Sequence, residues 1–393
     1  MARHDCVNEA DGRSNRAAFT SACSNFSIQY NYACSSIAVA IMVSHRDVMS
    51  TDHPDYPQPQ WAENLLLSAV FIGSVLGMLT MGYLGDLLGI RIALMITNAL
   101  TVVGALGSAL LSWGSPEAVW GVIMASRFLL GVGVGGNYPL SAAKASEAAP
   151  AADEAVAKAA AAFFWQGPGG LAPYALALLL LQMPRFQDVT SCQFRILLGA
   201  GALPACVVWA ASMCAEPDGG GAALGKRRNK DSLSESLGRA RHWWTLIGTA
   251  GVWFFFDVAF YGTVIFSPTI QTAVFGEEAS LTSLCLRAGA MSFLGILGTV
   301  VGLCVLPRVG PKALATNGLG VAAALFAAFA VVYRTHPEWS YTLFGILGLL
   351  FFVLYLAPNI ATYVLPVVSF PANVRSTFHG LSSAAGKLGA MTG

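Results

Sequence analysis

Two ionisable residues stand inside long apolar stretches of the sequence. Asp257 lies in "WFFFDVAFYG" and Lys387 lies in "SAAGKLGA". A charged side chain at the centre of a bilayer costs about 2.5–3.5 kcal/mol even on lenient scales, so such a residue is usually functional or paired. Two interpretations stay open, and both can hold together. The residues form an Asp–Lys pair that joins helices, or the lysine binds an oxyanion beside a carboxylate that takes up a proton.

Neutral hydrogen-bond donors accompany these charges. Trp253 and Tyr261 lie four residues before and after Asp257, which places all three on one face of a helix. Taken singly, each aromatic residue is more often a packing residue than a ligand, but the shared face favours binding. Further donors occur in "GNYPL", "FFWQGPGG" and "LAPNIATY", as Tyr138, Gln166 and Asn359. An oxyanion with four oxygens needs donors from several directions, and these residue types supply them.

Catalytic and metal-binding patterns are absent from the sequence. It has no serine–histidine–aspartate order around a nucleophile elbow, no Walker loop and no HExxH motif. The eight cysteines include no CxxC pair and no spacing with histidine that suits zinc. We therefore expect no enzyme activity, no cofactor and no metal.

Composition places these residues in a membrane protein. The chain has 393 residues, of which 55% are hydrophobic and 11% charged, against about 25% charged in ordinary soluble domains. Its mean hydropathy is +0.60. Such a chain cannot cover its exterior with charge, so we expect an integral, multi-pass protein in a lipid bilayer. The net charge of +1 gives no sign of a nucleic-acid partner.

Apolar segments of about 20 residues predict an all-α fold of two helix bundles. We predict a tail at 1–17, a six-helix bundle at 18–215, a linker at 216–242 and a second bundle at 243–393. The eleven predicted helices lie near 18–43, 61–84, 91–112, 118–140, 157–182, 192–214, 243–268, 282–306, 313–333, 340–368 and from 376 onward. Because the second bundle has five helices, we expect that the chain is truncated before a twelfth.

The two bundles echo each other weakly. Gly89 and Gly310 each close a short loop after a second helix, and Gln166 and Lys387 are separated by the same number of residues. This is the pattern of two parallel repeats, which bind substrate near the membrane midplane. Basic residues crowd the linker, so we expect the linker and the N-terminus to be cytoplasmic. We further expect a monomer in the plasma membrane.

Two motifs resemble known transporter signatures. "GYLGDLLGIR", from Gly82 to Arg91, resembles the loop signature G-x-L-x-D-x-x-G-x-R of the major facilitator superfamily. "GVGVGGNYPLSAAKASE", from Gly131, resembles the fourth-helix signature of the phosphate:proton symporters in that superfamily. No strand precedes these glycines, so they form no dinucleotide loop. On physical grounds alone they are a surface for close helix packing.

The resemblance implies roles for individual residues. In the symporter family, residues at the matching positions surround phosphate, here Asn137, Tyr138, Gln166, Trp253, Asp257, Tyr261, Asn359 and Lys387. From the residues themselves we expect proton coupling at Asp257, whose carboxylate can take up a proton in the membrane core. The resemblance implies gating for Asp86, Arg91, Arg127 and Glu147, although a purely structural bond from Arg127 to backbone carbonyls is as good an interpretation.

This chain departs from the family at two acidic positions. Asn137 stands where the family has an aspartate beside phosphate, and it cannot titrate. The first helix reads "FSIQYNYACSS", with Gln29 to Tyr32 where the family has a D-A-Y-D-like run. Asp257 is then the chief remaining proton carrier in the membrane core. We expect fewer protons per phosphate or a flatter dependence of transport on pH.

The sequence thus predicts a major facilitator transporter that moves inorganic phosphate by alternating access, coupled to protons through Asp257. One alternative is a carrier of an organic phosphate or another organic anion, because Asn137 and the altered first helix reshape the pocket. A second alternative is a nutrient sensor on the same fold that binds without transporting.

Overall fold

A computed structural model describes residues 2–43, 56–146, 151–184, 188–215, 235–265, 267–275 and 280–393. Within these ranges the chain forms helices and no strands. The first half contains α1 (Ala2–Met42), α2 (Ala62–Leu88), α3 (Ile90–Leu110), α4 (Pro116–Ser146), α5 (Ala152–Phe164), α6 (Gln166–Leu180), α7 (Val189–Gly199) and α8 (Ala202–Cys214). The second half contains α9 (Ala240–Ile265), α10 (Ser267–Phe275), α11 (Leu281–Val309), α12 (Pro311–Thr335), α13 (Ser340–Leu354), a π-helical turn (Tyr355–Asn359), α14 (Ile360–Ser369) and α15 (Arg375–Thr392).

Every predicted helical segment coincides with observed helix, but several are interrupted. The segment near 157–182 breaks at Trp165, which forms a turn between α5 and α6. The segment near 340–368 contains the π-helical turn, which includes Pro358, a residue that has no backbone N–H to donate. The first helix begins at Ala2 instead of near residue 18. The predicted start followed the first apolar residues, whereas polar residues can extend a helix beyond the apolar span.

Eight helical units in the described ranges are long and apolar enough to cross a membrane. α1, the α5–α6 pair and α15 are not among them. These three carry Asn25, Gln166 and Lys387, all of which are buried. Polar residues that lower the hydropathy of a span thus lie inside the protein, where they are shielded from lipid.

The glycine cluster of α4 is a packing surface, as the sequence favoured. A Cβ atom at Gly131 or Gly135 would collide with the carbonyl oxygens of Val70 or Ser74 on α2, and one at Gly133 would collide with α3. The glycines therefore let α4 approach two neighbouring helices at once, which is the usual role of small residues in membrane helices.

The two halves meet along a few helix pairs. α15 packs on α2, α14 packs on α5, and α11 packs on α6. We call the end at which α8 ends and α9 begins the linker side, and the opposite end the far side. Residues 216–234 of the predicted linker lie outside the described residues. The polar residues predicted to bind substrate lie mainly where the two halves meet.

Candidate functional site

A buried ion pair lies between α9 and α15. Lys387 Nζ is 3.0 Å from Asp257 Oδ2, and each side chain is 2% exposed. The other ion pairs found among the described residues have side chains that are 28% or more exposed. Two charges removed from water are tolerated only with good geometry and additional hydrogen bonds, so the surroundings of this pair decide what it can do.

Aromatic rings enclose the ammonium of Lys387. It donates a hydrogen bond to Tyr261 Oη at 2.7 Å, and it lies 4.0 Å from the centre of the Tyr261 ring. The ring centres of Tyr32 and Tyr138 are each 5.2 Å away. Cation–π contacts of this kind hold a cation without neutralising its charge. The rings therefore leave the charge of this ammonium available to an anion.

Trp253 lies one helical turn before Asp257 and is 3% exposed. Its indole packs edge-on against Tyr138, with ring centres 6.2 Å apart, and against His379 at 5.4 Å. A Cβ atom at Gly386, next to Lys387, would collide with this indole. The glycine thus allows Trp253 to pack directly beside the ion pair.

Tyr138 and Gln166 belong to a closed ring of hydrogen bonds. Tyr138 Oη donates to Gln166 Oε1 at 3.4 Å, and Gln166 Nε2 donates to Asn25 Oδ1 at 2.9 Å. Asn25 Nδ2 donates to Tyr363 Oη at 3.3 Å. Tyr363 Oη lies 2.8 Å from Ser141 Oγ, which donates to the carbonyl of Tyr138 at 3.1 Å. We call these five residues the polar ring, and all of them are buried.

Asn137 faces away from this region. Its Oδ1 accepts from Asn98 Nδ2 at 3.0 Å and from Thr97 Oγ1 at 3.3 Å, and its Nδ2 donates to Asn98 Oδ1 at 3.2 Å. Both partners lie on α3. The structure therefore pairs Asn137 with a neighbouring amide inside the first half, and it does not bring this side chain to the ion pair.

Asn359 ends the π-helical turn and is 8% exposed. The turn packs on α11 and α12, where the carbonyl of Leu356 lies against Gly302. Asn359 thus belongs to the second half, on an irregular piece of backbone that commonly marks functional sites.

A small cavity lies on the far side of the ion pair. Its walls include residues from the far-side parts of α1, α6 and α9. The polar and aromatic members are Gln29, Tyr32, Ser35, Ser36, Phe71, Tyr174 and Tyr261. Tyr32 stacks on Phe71 with ring centres 5.3 Å apart, and Tyr261 meets Phe71 edge-on at 5.1 Å. Because Tyr32 and Tyr261 also contact Lys387, these rings separate the cavity from the ion pair.

Asp86 closes the linker side. Its Oδ1 accepts from the backbone N–H of Ser376 at 3.2 Å, and its Oδ2 accepts from the backbone N–H and the hydroxyl of Thr377, both at 2.7 Å. Asp86 lies in the last turn of α2 in the first half, whereas these two residues lie in the first turn of α15 in the second. A carboxylate from one half thus caps a helix of the other, and the positive end of the helix dipole favours it.

The other residues that were expected to act as gates do not join the two halves as Asp86 does, as far as the described residues show. Arg91 donates to the carbonyls of Ser212 and Met213 at 2.8 and 2.9 Å, so it joins α3 to α8 within the first half. Arg127 is fully buried, and its Nη1 lies 3.4 Å from the carbonyl of Asn31, which agrees with the structural interpretation. Glu147 lies outside the described residues.

Sequence reasoning missed several residues around the ion pair. In the first helix, attention went only to the positions where the family has acids, so Asn25 was not identified. No role was assigned to Tyr363 or His379, although His379 lies eight residues before Lys387 and hence on the same helix face. His379 Nε2 donates to the carbonyl of Tyr363 at 3.0 Å. That spacing was the available signal.

Residues 21–393 match the Major Facilitator Superfamily. The inorganic phosphate transporter PT2 of Toxoplasma gondii is 35% identical over 373 residues, which cover 94% of this chain and 64% of that protein. The low affinity inorganic phosphate transporter 4 of Petunia hybrida is 31% identical over 388 residues, covering 85% and 73%. This chain thus spans less than two thirds of the length of the first relative.

Solved structures show the same fold. The proton:xylose symporter XylE bound to 6-bromo-6-deoxy-D-glucose superposes with a TM-score of 0.76 at 18% identity, over 97% of this chain and 87% of that one. XylE from E. coli in a partially occluded inward-open conformation gives 0.73 at 16% identity, over 97% and 90%. The predicted all-α major facilitator fold is confirmed.

Proposed function

Since this chain belongs to the major facilitator superfamily, we propose that it is a secondary transporter that moves inorganic phosphate across a membrane by alternating access, coupled to protons. The superfamily and the named relatives are transporters, which confirms the expectation that the chain is not an enzyme. The stretches that contain Tyr138, Gln166, Asp257 and Lys387 resemble the phosphate:proton symporters, and this resemblance, together with the names of the relatives, supports phosphate as the substrate.

The observation that carries the proposal is the Lys387–Asp257 pair and its position. It lies where the two halves meet, with the aromatic cavity on one side and the polar ring on the other. Lys387 supplies a positive charge, while Tyr138, Gln166, Trp253, Tyr261 and Asn359 supply neutral donors. A transporter of an anion needs a positive charge that is available to the anion at only one step of the cycle. Asp257 provides that control, because it pairs with Lys387 when it is ionised and releases it when it is protonated.

In the proposed cycle, Asp257 takes up a proton while the site faces the far side. Its negative charge disappears, so Lys387 no longer has a competing anion and phosphate binds to it. The halves then rock, the linker side opens, and phosphate leaves. Asp257 releases its proton there and pairs with Lys387 again, which resets the empty site. In this cycle each phosphate moves with the proton that frees its lysine.

Asn137 sets the limit of this coupling. Paired with Asn98, it titrates no proton, and the stretch "FSIQYNYACSS" of the first helix carries no acid. We therefore propose that Asp257 is the chief proton carrier and that the chain couples fewer protons to each phosphate than Asp-bearing relatives, or depends less steeply on pH.

The direct test is uptake of labelled phosphate into proteoliposomes that hold this chain, with and without an inward proton gradient. The proposal expects uptake that the gradient stimulates, and loss of that stimulation in Asp257→Asn. Uptake that ignores the gradient would instead indicate an uncoupled carrier. Phosphate binding without uptake would favour the nutrient sensor.

A carrier of an organic phosphate is the second candidate. The far-side cavity is lined by Gln29, Tyr32 and Tyr174, which supply polar and stacking contacts that bare phosphate does not need. A sugar phosphate that blocked phosphate uptake better than phosphate itself, and that entered the vesicles, would favour this candidate.

The proposal places the linker side in the cytoplasm. The support is the excess of Lys and Arg in the linker and in loops of the same side, since cytoplasmic loops of membrane proteins are enriched in these residues. We also propose a monomer in the plasma membrane. Labelling of linker residues in sealed cells, compared with labelling after lysis, tests the orientation.

A further inference from the structure

The polar ring joins the two halves through a single member within the described residues. Asn25, Tyr138, Ser141 and Gln166 belong to the first half, whereas Tyr363 lies on α14 in the second. Tyr363 Oη is bonded to two helices of the first half, α1 through Asn25 and α4 through Ser141. Its ring packs on Phe163 of α5, with centres 4.6 Å apart. Tyr363 therefore ties three first-half helices to α14.

The second half holds Tyr363 in place from behind. His379 on α15 donates from Nε2 to the carbonyl of Tyr363, and the two rings meet edge-on with centres 5.1 Å apart. Both side chains are fully buried. The hydroxyl that reaches across to the first half thus projects from a position fixed by two second-half helices.

The polar ring lies between the ion pair and the linker side. Ser141 precedes the linker-side end of α4 by five residues, and Tyr363 precedes that of α14 by six. Further toward that end, Asp86 caps α15 and Arg375 donates to Ser146 at 3.0 Å. The halves cannot separate on this side unless the bonds of Tyr363 to Asn25 and Ser141 break.

The polar ring also shares two members with the substrate site. Tyr138 has one O–H group, and it now donates to Gln166 Oε1. If that O–H turns to a phosphate oxygen, the ring loses a bond. Gln166 Nε2 carries two hydrogens and donates one of them to Asn25 Oδ1, so a turn of this amide toward phosphate distorts that bond. Phosphate and the ring therefore compete for the O–H of Tyr138 and for the orientation of the Gln166 amide.

We infer that the polar ring is a latch that closes the linker side, and that phosphate opens it by withdrawing Tyr138 and Gln166 from the ring. This inference rests on the proposed function, because phosphate is the ligand assumed. A ligand shifts a conformational equilibrium only if it binds the two states differently, and competition for donors supplies that difference. Asn25, Ser141 and Tyr363 are then positioning residues, which act on the site through the two shared members.

Hydrogen–deuterium exchange tests the latch without an attached probe. The native chain, Tyr363→Phe and Ser141→Ala are compared in nanodiscs, with and without inorganic phosphate, at the backbone amides of α14 and of the first turns of α15. Both variants should exchange about fivefold faster without phosphate, the factor that corresponds to a lost hydrogen bond of about 1 kcal/mol. The native chain should reach a comparable rate only when phosphate is added.

Tyr355→Phe is the matched control. Tyr355 is a buried second-half tyrosine in the π-helical turn, packed on Phe260 and outside the polar ring. Its variant also loses a hydroxyl, but it should exchange like the native chain. Ser141→Ala changes little volume, so it keeps the test valid if Tyr363→Phe fails to fold.

Two results would overturn the latch. The first is exchange in both variants that matches the native chain and Tyr355→Phe. The second is a native chain that takes up phosphate but whose exchange does not respond to it. Failure of the proposed function has a different signature, because the native chain would then neither bind nor take up phosphate while the variants still exchanged faster than the control.

Discussion

The ammonium of Lys387 lies closer to the neutral hydroxyl of Tyr261, at 2.7 Å, than to the carboxylate of Asp257, at 3.0 Å. The lysine therefore has a partner that keeps it in position when the carboxylate is protonated. Tyr261 and Asp257 lie one turn apart on α9, so a single helix presents both partners to α15. An anion can displace the carboxylate while the hydroxyl continues to hold the ammonium.

Replacement of Asp257 by Asn should lower the stability of the protein but raise its affinity for phosphate. Asp257→Asn leaves a buried lysine without its counter-ion, which typically costs about 3–5 kcal/mol, so the variant should unfold at lower temperature in detergent. The same change imitates the protonated carboxylate, so phosphate should bind more tightly, by about tenfold, and independently of the proton gradient. Thermal unfolding and phosphate titration measure the two effects.

The double variant Asp257→Asn, Lys387→Gln is the control for the charge. It removes both charges and keeps similar volumes, so it should recover most of the lost stability and bind no phosphate. If the double variant is as unstable as Asp257→Asn alone, the loss does not come from an unpaired lysine.

Asn137→Asp should make transport depend more steeply on pH. The change adds a titratable group to α4, where the symporter family carries an aspartate. A carboxylate cannot donate to Asn98 Oδ1 as Asn137 Nδ2 does, so the variant should also lose about 1–3 kcal/mol of stability. Initial rates of phosphate uptake over a range of pH check the first effect, and thermal unfolding checks the second.

Asn137→Leu separates the proton from the hydrogen bond. It breaks the same amide pair and adds nothing that titrates, so it should be destabilised while its pH profile stays that of the native chain. A pH profile of Asn137→Asp that overlies the profile of Asn137→Leu would show that this position does not set proton coupling.

The helices could be predicted from the sequence because the membrane imposes a simple requirement on each span. About 20 apolar residues are needed, and glycine and charged loops mark the ends. Residues that depart from the apolar pattern, such as Asp257 and Lys387, therefore stand out, and the structure brings them together. Their pairing was one of the two interpretations that the sequence left open, and the structure shows the pair.

The polar ring and the pairing of Asn137 could not be predicted in the same way. Asn25 and Tyr363 are 338 residues apart, and nothing local distinguishes a tyrosine that crosses between halves from one that packs within a half. Asn137 was expected beside phosphate because the family has an acid there. An amide has both a donor and an acceptor, so it can pair with Asn98 as an aspartate cannot.

Loss of Asp86 should loosen the linker side without disturbing the ion pair. Asp86→Ala leaves the N–H groups of Ser376 and Thr377 without their carboxylate acceptor, and loss of a capping side chain costs about 0.5–2 kcal/mol. The first turn of α15 should then exchange its amide hydrogens faster, while phosphate affinity in the outward-facing site changes little. Exchange measured at the first turn of α15 tests this.

Two comparisons locate the effect of Asp86. Asp86→Asn keeps one acceptor oxygen, so its exchange rate should lie between those of Asp86→Ala and the native chain. Arg91→Ala removes bonds to the end of α8 within one half, and it should leave the first turn of α15 unchanged. If Arg91→Ala accelerated amide exchange as much as Asp86→Ala, the whole loop from Gly82 to Arg91, and not the Asp86 cap on α15, would close the linker side.

Two glycines of α4 should respond in opposite directions to the same substitution. A Cβ atom at Gly135 would collide with the carbonyl oxygen of Ser74, so Gly135→Ala must push α2 away, at a cost of about 1–3 kcal/mol. At Gly121 a Cβ atom meets no atom within 4 Å, so Gly121→Ala should gain up to about 1 kcal/mol from helix propensity. Thermal unfolding in detergent compares the two variants.

The collision at Gly135 also reaches the site, because Ser74 accepts a hydrogen bond from Tyr32 Oη at 2.8 Å. Movement of Ser74 should shift Tyr32 from its stack on Phe71 and from its contact with Lys387. Gly135→Ala should therefore weaken phosphate binding as well as stability, whereas Gly121→Ala should leave binding unchanged. If Gly135→Ala lowered stability but bound phosphate like the native chain, the ring of Tyr32 would not contribute to the site, and the aromatic enclosure of Lys387 would depend on Phe71, Tyr138 and Tyr261.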